Sequence, residues 1–126
     1  MKPQIRIYKP GAEYWFPEGC HIDELLNDAN DPVVSIARAR VPAGGITRWH
    51  RVRDAAERYL IESGRGRVEI GMLDPREVGP GDIVIIPPGC RQRIANLTED
   101  DLVFLAICTP RFQEADYEDL EAGSAD

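Results

Sequence analysis

The residues best suited to chemistry lie in the stretch GGITRWHRVRDAAERYLIESG, from Gly44 to Gly64. His50 is one of two histidines; Glu57 follows it by seven residues, and Gly64 lies seven further on. An imidazole and a carboxylate carried on extended chain suit two kinds of chemistry. They can ligate a divalent metal through nitrogen and oxygen. Without metal, a carboxylate beside an imidazole is a satisfied pair that can act as a general base. Tyr59 shares a strand face with Glu57 and would be the acid in that second case. A third possibility is a strand that merely carries a histidine.

The elements that must position these residues are short. Glycine and proline recur at Pro32, Pro42, Gly44, Gly64, Gly66, Gly79, Gly81, Pro87 and Gly89. Between them lie VVSIARARV, ERYLIES, RVEIGML, DIVIIP, RQRIAN and DLVFLAICT, rich in β-branched and aromatic residues. This spacing, with no long segment of period 3.6, predicts an all-β sandwich or barrel. ESGRGRVEI predicts a hairpin with glycines at its turn. Helix is expected only in a short turn at Asp23 to Asn27 and in the tail after Phe112. Strand alternation puts His50 and Val52 on one face, and likewise Cys90 and Gln92.

The chain of 126 residues suits a single domain. It has no apolar run long enough to span a bilayer, and MKPQIRIYKPGAEYW lacks a signal-peptide pattern, so the cytoplasm is the expected location and no membrane partner is expected. Three widely spaced cysteines, Cys20, Cys90 and Cys108, suggest neither a disulfide framework nor a metal knuckle. The net charge of −7 is concentrated in the tail. Glu114, Asp116, Glu118, Asp119, Glu121 and Asp126 fall there with no base, leaving 16 acids against 15 bases elsewhere. That balance argues against nucleic-acid binding, and the acidic tail is expected to be a solvated end.

Gly44, His50, Val52, Glu57 and Gly64, followed by Gly81, Pro87, Gly89, Gln92 and Asn96, resemble the paired motifs of the cupin family. Those motifs are Gly-x5-His-x-His-x3/4-Glu-x6-Gly and Gly-x5-Pro-x-Gly-x2-His-x3-Asn. The resemblance implies a cupin-type jelly-roll β-barrel, with a core at about 33–109, an N-terminal arm at 1–32 and an acidic, partly helical tail at 113–126. It also implies a divalent metal in the mouth of the barrel, held by three histidines and a glutamate. Here Val52 and Gln92 stand at two of the histidine positions, so the ligand set it implies is His50, Glu57 and Gln92. Gln92 is a weak neutral donor, and such a set favours iron, manganese or nickel. If Cys90 joined the site, its thiolate would favour zinc or copper; otherwise it is a small buried residue. His21 could reach the pocket or serve in packing.

Arg38, Arg40 and Arg48 either face solvent or enter the pocket. In the pocket they would suit an anionic ligand such as a carboxylate or sugar acid. Trp49 takes the face opposite His50. Tyr14, Trp15 and Phe16 suit intramolecular packing or the homodimer contact that the resemblance implies. Three functions are compatible with these residues: a metal-dependent enzyme on a small molecule, a non-catalytic binder of a small-molecule ligand, and a metal-free isomerase or lyase. In the last, His50 is the base, Glu57 its orienting partner and Tyr59 the acid.

Overall fold

The computed structural model describes residues 1–121. In chain order its strands are β1 (Tyr14–Phe16), β2 (Cys20–Leu26), β3 (Ser35–Val41), β4 (His50–Val52), β5 (Ala56–Ser63), β6 (Gly66–Ile70), β7 (Arg76–Val78), β8 (Ile83–Ile86), β9 (Gln92–Asn96), β10 (Leu102–Thr109) and β11 (Tyr117–Asp119). They form a six-stranded sheet, β1-β2-β3-β10-β5-β8, and a five-stranded sheet, β11-β4-β9-β6-β7. Every pairing is antiparallel. The architecture is an all-β jelly roll. Its sheets are not closed into a barrel, because they share no strand pairing.

Alternation decides which side chains enter the space between the sheets. On β5, Glu57, Tyr59 and Ile61 are buried, while Arg58 turns away to donate to Thr109 Oγ1. On β8, Val84 and Ile86 are buried and Ile83 and Ile85 are exposed. Val41, Ile61, Ile86, Ile94, Leu102 and Phe104 make the centre of the core, none more than 1% exposed. Each such side chain contributes about 1.5–3 kcal/mol through removal from water. The site lies beside this core, so its polar groups sit in surroundings of low polarity.

Three expectations about elements are corrected. Asp23 to Asn27 is not a helical turn, since Cys20–Leu26 is a strand paired on both sides, by β1 and β3. β1 pairs with Cys20–Ile22 and β3 holds Asp23, Glu24 and Leu26, and this ladder outweighs a helical preference only one turn long. ESGRGRVEI is not a hairpin, because β5 and β6 lie in different sheets. Its turn carries the chain across the sandwich. Gly64 makes that crossing at φ +82, where a Cβ would lie 2.5 Å from the Asp101 carbonyl oxygen. Gly64→Ala is therefore expected to destabilise the fold by about 1–3 kcal/mol or more, read from urea unfolding. An unchanged midpoint would mean that the crossing is not strained.

The tail is the third correction. Among the described residues after Phe112 the helical structure is a 3-10 turn at Glu114–Asp116, and then β11 pairs with β4. Nor is this part a solvated end. Glu118 grips Arg51 through contacts of 3.0 and 3.1 Å, and Asp119 accepts from Arg48 at 2.8 Å. Glu118 thus binds Arg51, its register partner on β4, and Asp119 binds Arg48 just before that strand. Asp126 lies outside the described residues.

Candidate functional site

His50 and Gln92 are register partners on β4 and β9, so both side chains enter the sandwich from the five-stranded sheet. Glu57 enters from β5 in the opposite sheet. His50 and Gln92 are each 1% exposed and Glu57 is 7% exposed. Gln92 Nε2 donates to Glu57 Oε1 at 2.5 Å, and Gln92 Oε1 accepts from the Tyr59 hydroxyl. Tyr59, Gln92 and Glu57 thus form one buried relay. The amide is oriented by it, because its nitrogen can only donate and its oxygen can only accept.

His50 is held differently. Its Nδ1 lies 2.6 Å from the Arg48 carbonyl oxygen, which can only accept, so the ring proton sits on Nδ1. Nε2 lies 3.0 Å from Glu18 Oε1. Glu18 belongs to the turn between β1 and β2 and is anchored by its own carbonyl, which accepts from the Arg48 amide at 2.8 Å. Its other oxygen accepts from the Cys20 thiol at 3.3 Å. The Tyr117 ring of β11 stacks on His50 with centroids 5.3 Å apart, and Phe16 meets Tyr117 edge-on. Glu18 and Tyr117 are the site residues that the sequence motifs do not contain. The only local signal for Glu18 is an acid between Pro17 and Gly19 in a turn.

A cavity of 70 Å³ opens beside this cluster. Glu18 and Glu57 form part of its wall, and Ala37, Ala39, Val52 and Ala106 make it largely apolar. His50 and Gln92 stand behind that wall. Burial pushes the Glu57 carboxyl up to about 7, and the charge of Glu18 adds to the rise. His50 and hydrogen bonds from Gln92 and Cys108 oppose it. Burial likewise raises the Cys20 and Cys108 thiols and the Tyr59 and Tyr117 hydroxyls, so all four stay protonated at neutral pH.

The remaining candidates lie elsewhere. Arg38 pairs with Glu62, Arg40 with Glu13 and Asp101, and Arg48 with Asp119, all facing away from the cavity. Arg48 precedes β4, so strand alternation does not carry it to the face of His50. His21 meets Trp15 edge-on and comes within 4.0 Å of Glu13, away from His50. Cys90 lies just before β9, where its thiol contacts the Arg91 carbonyl. Trp49 takes Arg91 and Arg93 over its ring at 4.3 and 4.5 Å.

The donor atoms are arranged for one another more than for a cation. Val52 supplies none, Gln92 spends its oxygen on Tyr59, and His50 Nε2 faces Glu18. Among the described residues, no three His, Cys, Asp or Glu side chains converge around a cation-sized space. As arranged, the residues do not fit a resident metal ion.

Known proteins agree with the fold. The cupin domain profile matches residues 37–108. The Methanocaldococcus jannaschii protein MJ1618, itself uncharacterised, is 34% identical over 123 residues, covering 96% of this chain and 95% of its own. A Klebsiella pneumoniae protein with a double-stranded β-helix domain superposes with a TM-score of 0.75 at 16% identity, over 94% of this chain and 99% of its own. Oxalate decarboxylase from Bacillus subtilis superposes at 0.72 and 23% identity, over 82% of this chain but only 28% of the larger enzyme. With both motifs in order, the jelly roll around them and these likenesses, the chain belongs to the cupin family.

Proposed function

We propose that the protein is a small-molecule-binding cupin whose interior carboxylates move protons without a resident metal ion. The observation carrying this reading is the 3.0 Å contact between His50 Nε2 and Glu18 Oε1, which occupies the direction a metal would need. Glu18 faces the cavity, and His50 behind it can share its proton while the Arg48 carbonyl holds the ring. Glu57 is the second proton site, oriented by Gln92. Tyr59 acts on Gln92 and serves as a positioning residue. Two carboxylates bordering one small cavity can remove and return protons on one bound molecule, which is what isomerisation or elimination requires.

A second reading keeps the divalent metal. It is favoured by the convergence of His50, Glu57 and Gln92 on one interior region, and by a ring proton fixed on Nδ1, which puts the ring's lone pair on Nε2. Elemental analysis of protein purified without chelator or metal-binding tag separates the two. The metal-free reading expects far less than one equivalent of metal, even after incubation with iron(II), manganese(II) or nickel(II). Near-stoichiometric metal, lost in His50→Ala and kept in His21→Ala, would replace it with the second reading.

A further inference from the structure

The charge around the cavity has one sign. Glu18 and Glu57 lie within it and Glu24 stands on the same lining, whereas no arginine or lysine lines it. The thirteen arginines and two lysines are all among the described residues. Arg111 stands outside this lining, next to the mouth, where its guanidinium donates to Asn27 Oδ1 at 3.0 Å. Arg38, Arg40 and Arg48 are paired outward, so no cationic side chain stands in the wall to pair with an anion.

The rest of the lining is mostly apolar, and the rings of Tyr14, Phe16, Phe112 and Tyr117 give it an aromatic wall suited to the body of a small ligand. His50 offsets at most one of the two inner carboxylates. Neither carboxylate has its lone pairs exhausted by the protein, since each ionised group can accept about four hydrogen bonds. The volume is on the order of half that of an engineered cavity that holds benzene, so it admits a short group of a few heavy atoms.

We infer that this cavity binds a small protonated amine with a short apolar body, its ammonium directed at Glu18 and Glu57 and its chain against the aromatic rim. This inference rests on the reading of the cavity as a small-molecule site and names its ligand class. The ammonium supplies up to three donors to the carboxylates, and the apolar walls hold the chain while excluding water. A carboxylate ligand of the same length would face Glu18 and Glu57 with no arginine or lysine in the wall to receive it.

The test uses the whole, chelator-treated protein at pH 7 and three isosteric probes, n-butylammonium, n-butanol and butanoate, followed by NMR chemical-shift titration. Butylammonium is expected to bind about tenfold or more tightly than butanol, with no saturable shifts from butanoate. Glu18→Gln and Glu57→Gln should each reduce that preference several-fold, and the surface control Glu77→Gln should leave it unchanged. Butanoate binding as tightly as the amine would overturn the ligand class while leaving the small-molecule reading standing. Amine binding unaffected by both carboxylate variants would assign it to another surface and overturn the inference. Failure of all three probes would overturn the inference and the small-molecule reading together.

Discussion

His50→Ala should destabilise the protein by about 3 kcal/mol, because it strands the Glu18 carboxylate in a largely buried position. His50 is 1% exposed, and its ring fills the space between Glu18 and Tyr117. Loss of the ring adds a packing cost to the loss of Glu18's partner. The two costs are separable. Placing Glu18→Gln in the His50→Ala background neutralises the stranded group, so the double variant should recover about 1–2 kcal/mol relative to His50→Ala. Urea unfolding of the four proteins at pH 7 provides the cycle. A coupling within about 0.5 kcal/mol of zero would show that Glu18 and His50 are neighbours without being partners.

Glu57→Gln should act in the opposite direction and depend on pH. Burial, reinforced by Glu18, raises the folded-state value to about 7 from the ordinary 4.5. The folded state therefore binds more protons than the unfolded chain between these values, and stability falls as pH rises through that window. Below about 4.5 both states are protonated and the penalty vanishes. Above about 7 both are ionised and the full penalty, about 2–4 kcal/mol, is present. The glutamine can still accept from Gln92 Nε2, so the relay keeps its hydrogen bond. The variant should be more stable than the parent at pH 8 and nearly equal to it at pH 4.5. Thermal melts of metal-free protein at both values check this, and a pH-independent difference would refute buried ionisation of Glu57.

These experiments bear on the same question from two sides. The site contains two carboxylates in different states of satisfaction: Glu18 paired with an imidazole, and Glu57 held by an amide in apolar surroundings. Groups set apart in this way are suited to opposite steps of a proton transfer. Cys108 and Cys20 each touch one of them and, as protonated thiols, are donors in the network.

Much of this was written in the local sequence. Glycine and proline punctuation together with β-branched runs marked out β3, β5, β6, β8, β9 and β10, whereas β7 (Arg76–Val78) carries no such run. The spacing from Gly44 to Asn96 determined the cupin family, and period-two alternation determined that Glu57 and Tyr59 share the interior face. The tertiary structure decided the rest. Glu18 reaches His50 from 32 positions upstream and Tyr117 from 67 positions downstream, and no local pattern encodes either contact. The acidic tail became β11 where Glu118 met Arg51 across the register with β4, and the turn after β5 crossed between sheets because β6 found its partners in the other one. Which donor faces Gln92, and whether an arginine or a glutamate lines the cavity, depends on which distant strands are brought together by burial of the common core. Alternation along a single strand assigns a side chain to a face, but only the packing of the two sheets assigns it a partner.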